Sequence, residues 1–257
     1  MNSSSFFIFG IPIGLASKET LRGTIRRWLS KRTFHRIATV GPEFLLRARS
    51  SKQFHTNLLQ ADLCVADGVG VTTAGWLFGK HIERFPGADL LLEILREAER
   101  RHLSVFLAVR KDSLSSLDEI QTALLKKYPA LKVYGFEFEK RTTLHSLPAP
   151  HSQFLTHHAT IVFCNFGAPG QEYFLESLRG RGKHVRLAMG VGGAFDFLTG
   201  KLPRAPRVFQ YIGLEWLWRF LLQPSRFWRI WNAIVMFPCF VLTDRIQNTL
   251  TQKDNDH

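Results

Sequence analysis

The chain has 257 residues, 45% of them hydrophobic, an ordinary globular content that supports one large core or one core with an appendage. Thirty-four lysines and arginines against 21 acidic residues leave a net charge of +13, which calls for a polyanionic partner: phosphate, nucleic acid or an anionic membrane. No stretch reaches the roughly 20 apolar residues of a spanning helix; the longest, Ile230 to Thr243, is short and is broken by Pro238.

In chain order, Phe6–Ile13 reads as a strand or turn, and Glu19–Leu29 as an amphipathic helix with Leu21, Ile25 and Leu29 on one face. Ile37–Val40 is a short strand, Pro42–Leu59 holds a helix, and Leu63–Ala66 is a strand ending at Asp67-Gly68. Val71–Leu77 and Ala88–Glu99 are helical. Val105–Val109 is a strand, Leu114–Leu125 a helix and Leu131–Phe136 a strand. Ile161–Phe166, Gln171–Leu178 and Val185–Met189 follow as strand, helix and strand. Continuous apolar strands alternating with helices predict an α/β, Rossmann-like, mostly parallel sheet with helices on both faces. Ligands of such a sheet bind in loops beyond the strand ends, here Thr39–Glu43, Asp67–Gly70, Asn165–Gln171 and Gly190–Phe195.

Near residue 202 the composition changes. Prolines fall at 203, 206, 224 and 238, and Trp216, Trp218, Trp228 and Trp231 are four of the six tryptophans. The expected division is a core of residues 1–201 and a helical, basic and aromatic appendage of residues 202–257. Between Arg179 and Arg229 there are ten Lys/Arg against Asp196 and Glu215. Tryptophan and phenylalanine beside arginine also suit an interfacial membrane segment.

Cys64, Cys164 and Cys239 have no metal-ligand spacing, and the ten histidines form no ligand set. No metal and no cofactor are expected. Cys64 and Cys164 lie in apolar runs and read as buried thiols. The N-terminal segment lacks the basic region of a signal peptide. These features predict a cytoplasmic protein.

Four motifs carry the candidate chemistry. Asp67, with Gly68 and Gly70, sits at a strand end, where a carboxylate can act as a general base; a plain Asp-Gly turn or helix cap is the alternative. Arg84, in Glu83-Arg84-Phe85-Pro86-Gly87-Ala88-Asp89, can pair with Glu83 or with a ligand, while Asp89 reads as the cap of the helix that follows. Gly167, Pro169, Gln171 and Glu172 form a strand–helix turn whose amide and carboxylate can meet sugar hydroxyls or a base edge; a plain turn whose first-turn acid stabilises the helix dipole is the alternative. Gly190, Gly192 and Gly193 approximate the dinucleotide fingerprint, but Phe195 stands where its third glycine belongs, and no Walker lysine is present. Glycine turns beside arginines point to a phosphorylated small molecule. A nucleic-acid-binding protein and a nucleotide-dependent oxidoreductase are the rival readings. The first lacks a recognised module and the second lacks the third glycine.

Taken together, these stretches resemble the WecG/TagA/CpsF family, glycosyltransferase family 26. The matching segments are Ala66–Gly70, Glu83–Leu90, Phe166–Glu172, Gly190–Asp196, Arg204-Ala205-Pro206 and Gly213–Arg219 with Pro224 and Arg226, in the family's order. The resemblance implies an inverting, metal-independent transfer of an N-acetylmannosamine-type sugar from a UDP donor to a polyprenyl-diphosphate-linked amino sugar. That reaction belongs to bacterial cell-surface polysaccharide or teichoic acid synthesis, at the inner face of the membrane. Asp67 matches the family's proposed base, and Arg219 and Arg226, with Arg229 more weakly, match its appendage arginines. Arg204, Arg219, Arg226 and Arg229 are the candidate diphosphate ligands. Thr39, Gly41, Gly68, Gly70, Arg84, Asp89, Gly167, Pro169, Gln171, Glu172, Gly190, Gly192, Gly193 and Phe195 are the candidate substrate ligands. Gly41 replaces an asparagine common in the family, which puts the sugar's identity in play. The expected partners are the UDP-sugar, the lipid-linked acceptor and the inner membrane surface, without nucleic acid. A homo-oligomer stays open, with no residue pattern to argue it.

Overall fold

The computed structural model describes residues 5–139, 158–181, 184–211, 213–223 and 227–244, excluding the side chains of Arg219 and Arg229. The chain begins with an antiparallel hairpin, β1 (Ser5–Ile8) and β2 (Ile11–Gly14). Its two turn residues, Phe9 and Gly10, both have positive φ (50° and 76°), the conformation that matches the twist of a two-residue hairpin.

There follow α1 (Lys18–Ser30), β3 (His35–Val40), α2 (Pro42–Ser50), α3 (Lys52–Leu59), β4 (Leu63–Ala66), α4 (Val69–Leu77) and α5 (Gly87–Arg100). The core continues with β5 (Ser104–Arg110), α6 (Leu117–Lys127), β6 (Lys132–Phe138), β7 (Ile161–Cys164), α7 (Gly170–Glu176), β8 (Leu187–Gly190) and α8 (Ala194–Leu198). The single helix expected over residues 42–59 is two helices. Ser51 breaks it by turning extended (φ −132°, ψ 106°), and its hydroxyl accepts the Phe54 N–H to start α3.

Strands β3 to β8 form one wholly parallel sheet in the order β4-β3-β8-β7-β5-β6. Alternate residues enter opposite layers. On β5, Val105, Leu107 and Val109 pack with α1, α5 and α6, while Phe106 and Ala108 pack with α7. Both faces of the central strands are therefore dry, as the unbroken apolar runs predicted. Helix α5 buries Leu90, Leu91, Ile94, Leu95 and Ala98, the three–four spacing of a single stripe.

Beyond the sheet, α9 (Arg207–Tyr211), α10 (Glu215–Leu222) and α11 (Phe227–Trp231) lead through a π-helical turn (Asn232–Met236) into helical residues 237–244. This last helix returns to the core. Phe237 and Val241 are buried in the cluster that holds Ile11, Val40, Leu45 and Val71. The Phe237 ring meets Phe9 edge-on at 5.9 Å. Arg49 lies 4.4 Å from the centre of the Phe240 ring and 2.7 Å from Asp244 Oδ1. Tyr211 (92%) and Trp228 (71%) remain exposed, as do Leu221, Trp231 and Ile234. Among the described residues, no helix is long and apolar enough to cross a membrane.

Candidate functional site

The carboxyl ends of β3, β4, β5, β7 and β8 open into a cleft of about 460 Å³, lined on one side by Arg204, Gly213, Glu215, Trp216 and Gln223. Thr39, Asp67, Gly68, Arg84, Gly167, Gln171, Gly192, Gly193 and Arg204 all line it. Segments distant in sequence thus meet where a parallel sheet places its ligands.

Asp67 is the first residue beyond β4, and its N–H still donates to Val40 O at 3.0 Å. Its Oδ1 accepts the N–H of Gly87, the first residue of α5, at 2.7 Å. The carboxylate is therefore held at a helix start, where the dipole favours negative charge. Arg84 runs alongside through a parallel bridge to Ala66, donates to Gln210 O, and stands 3.8 Å from Glu215 Oε2. Arg204 Nη1 lies 2.6 Å from Asp89 Oδ1, and its buried Nε lies 3.5 Å from Glu215 Oε1. Arg84, Glu215 and Arg204 thus form a charged chain at the wall of the cleft, which Asp89 extends behind it. Asp89 is not the cap of α5. That helix starts at Gly87 after Pro86 with no side-chain cap, and Asp89 in its first turn binds Arg204 instead, outside the cleft lining.

The turn after β7 is built around an amide. Gly167, at φ +76°, donates its N–H to Gln171 Oε1 at 3.1 Å, and Gln171 Nε2 donates to Glu172 Oε1 at 2.8 Å. Gln171 lies across Gly190, where a Cβ would run into its amide. Gly190 is therefore a packing glycine rather than part of the lining, while Gly192 (φ +48°) and Gly193 border the cleft. Pro169 precedes α7 and does not line the cleft.

Other expected ligands also turn out to have interior or packing positions. Glu172 is buried beneath Gln171 and does not reach the cleft. Phe195 is fully buried in the core between the sheet and α5. Gly70 lets α4 approach α2 and the last helix, since a Cβ would stand 2.7 Å from Pro42 Cγ and 3.7 Å from Phe237 Cδ1. Gly41 precedes α2 with open space around its Cβ position and is absent from the lining. Arg226 lies outside the described residues. Arg219 and Arg229 fall in α10 and α11, with side chains outside them too.

The loop after β5 escaped the sequence reading. Arg110, Asp112 and Ser113 line the cleft, with the Arg110 N–H fixed on Asn165 Oδ1 at 2.7 Å. Asp196, which accepts from the Ser115 hydroxyl at 2.8 Å, and Trp216 line it as well. The available signal was the charged run Arg110-Lys111-Asp112 directly behind a buried strand. Among the described residues, no group of three or more His, Cys, Asp or Glu could hold a metal ion. Cys64 and Cys164 are buried and Cys239 is exposed; burial pushes the Cys64 thiol up to about 12.

Burial also lifts the Glu172 carboxyl to about 7, and its Oε2 has no hydrogen-bond partner among the described residues. The folded chain therefore keeps a proton that the unfolded chain releases near 4.5. The associated stability is present below about pH 4.5 and is lost as pH rises towards 7. Glu172→Gln keeps the acceptor for Gln171 and removes the titration. Its urea midpoint is expected to fall less than wild type's between pH 5 and 7, and parallel profiles would exclude a titrating Glu172.

Comparison with known proteins gives the class: the chain is a glycosyltransferase. Residues 6–251 match the glycosyl transferase WecG/TagA/CpsF family, and the chain belongs to it. It is similar to the N-acetylglucosaminyldiphosphoundecaprenol N-acetyl-beta-D-mannosaminyltransferases of Bacillus spizizenii and Bacillus subtilis. Each is 27% identical over 215 residues, covering 80% of this chain and 76% and 77% of the two relatives.

Proposed function

We propose that this enzyme transfers an N-acetylmannosamine-type sugar from a UDP donor to a polyprenyl-diphosphate-linked amino sugar, with inversion and without a metal. The observation that carries this reading is one cleft lined by Asp67, Arg84 and Arg204 at the carboxyl edge of a parallel sheet. The relatives' names, which specify an N-acetylglucosaminyl diphosphoundecaprenol acceptor, support the substrate class.

In this mechanism an acceptor hydroxyl attacks the anomeric carbon and gives its proton to Asp67. The bond to the donor's phosphate oxygen breaks, and UDP leaves with the electron pair. Arg84 and Arg204, with the backbone of the glycine turns at 167 and 192–193, stabilise the charge that develops on it. Residues 202–257 act as the appendage that completes the cleft and meets the inner face of the membrane, where exposed Tyr211, Leu221, Trp228 and Trp231 suit an interfacial position.

The test is UDP release from four donors: UDP-N-acetylmannosamine, its uronic acid, UDP-N-acetylglucosamine and UDP-glucose. Each is supplied with a short-chain lipid-diphosphate-N-acetylglucosamine acceptor. The expected result is acceptor-dependent release from one mannosamine-type donor, unchanged by EDTA. Release that ignores the acceptor, or that requires a divalent cation, would overturn the mechanism.

A further inference from the structure

A second cavity of about 650 Å³ adjoins the first. Phe44, Arg110, Gly167 and Ala168 line both, so the two are compartments of one trough with a shared wall. Helix α2 lines the second with Glu43, Phe44, Leu46, Arg47 and Ser50, and Asn232 lines it as well. The reaction above needs two substrates and assigns the first compartment to the donor and the base. The second has had no occupant.

Three observations specify one. First, Arg47 is an exposed cation on this α2 wall, with Glu43 one helical turn before it in the same lining and Glu172 within its electrostatic reach; its side chain makes no hydrogen bond among the described residues. Arg84 and Arg204, in contrast, already face carboxylates. A solvent-exposed guanidinium beside a seryl hydroxyl suits a phosphate oxygen. Second, the spacing fits. Pro42, at the start of α2, lies against Gly68, the neighbour of Asp67. Arg47 is five residues further along the same helix, about 7.5 Å at 1.5 Å per residue. That separates a phosphate on Arg47 from the region of the base by a distance suited to a sugar ring. Phe44 and Phe166 supply apolar surface along the way, the kind of face that sugar C–H groups cover. Third, Asn232 directly follows Trp231, within the run of exposed Phe227, Trp228, Trp231 and Ile234. A substrate with a hydrocarbon anchor has its apolar end accommodated on that side.

We infer that the second cavity seats the lipid-diphosphate-linked acceptor, with Arg47 on its diphosphate and its sugar passing the Phe44–Gly167 wall towards Asp67. The inference rests on the glycosyl-transfer reading and adds the acceptor's seat to it.

The experiment is steady-state transfer by wild type, Arg47→Glu and Arg47→Lys, varying donor and acceptor separately, with UDP binding measured by calorimetry. One arm uses an acceptor with a short prenyl tail, and a second uses the same sugar diphosphate without lipid. Arg47→Glu is expected to raise the acceptor KM at least tenfold in both arms. Donor KM and UDP affinity should stay within twofold, and Arg47→Lys should recover most of the loss. An acceptor KM within twofold of wild type, or an equal rise in donor KM, would overturn the assignment. An effect confined to the lipid-bearing acceptor would also overturn it, since Arg47 would then be answering to the membrane. A wild-type enzyme that transfers to no acceptor would overturn the transfer reading itself, and that result is visible before any variant is made.

Discussion

Asp67→Asn is expected to lower kcat by about 10²- to 10⁴-fold, the usual contribution of a positioned general base, with the thermal midpoint nearly unchanged. The substitution is chosen from the geometry. Asp67 Oδ1 accepts the Gly87 N–H at the start of α5. An asparagine carbonyl oxygen can accept that same hydrogen bond, so the junction of β4 and α5 is kept. What the amide cannot do is take a proton from an attacking hydroxyl. Alanine would remove both functions and leave the outcome ambiguous. Measured kcat with saturating donor and acceptor, beside the unfolding midpoint, separates the two readings of this residue. An asparagine variant within threefold of wild type would make Asp67 a structural tie.

Arg204→Ala is expected to lower kcat/KM by about 10²- to 10³-fold, the cost of removing one preorganised donor from a developing anion. Arg204 faces Asp89 and Glu215, and a donor diphosphate would compete with those carboxylates for its guanidinium. Asp89 is half-exposed, so loss of that pair should cost stability only about 0–1 kcal/mol. Arg204→Lys should fall between wild type and alanine, because lysine keeps the charge without the planar fork. Calorimetry with UDP provides the independent readout. Unchanged UDP affinity together with kcat/KM within threefold of wild type would remove Arg204 from the site.

The sheet was legible because every central strand is dry on both faces. Val105–Val109 and Ile161–Cys164 carry the same apolar run that hydrophobicity alone reveals. Helix α5 was legible from its stripe. The break at Ser51 was not, since one serine hydroxyl and a local extended turn decide it against good flanking periodicity. Asp67, Arg84, Gly167, Gln171, Gly192, Gly193 and Arg204, each singled out in the sequence, line one cleft in the structure. The positions that fall outside the cleft lining share a cause. A glycine that admits a ligand and a glycine that admits a neighbouring side chain look alike in a sequence. Gly190 yields to Gln171 and Gly70 to Pro42. Phe195 and Glu172 sit one position away from cleft-lining residues, and at the start of a helix that step sends a side chain into the core. Arg110 was missed because its loop carries no glycine to draw attention to it.

The pairing of β3 with β8 joins residues 35–37 to residues 187–189. Two neighbouring strands of the sheet are thus separated by most of the chain. During synthesis, β3–β4 and β5–β6 can each pair early, but each keeps one bare edge until β7 and β8 emerge to join them. Closing so long a loop is slow, and bare strand edges seek partners in other molecules. Nascent chains halted before Ile161 therefore hold two half-sheets without a centre. Their fate depends on how quickly the last two strands arrive relative to aggregation or capture by a chaperone.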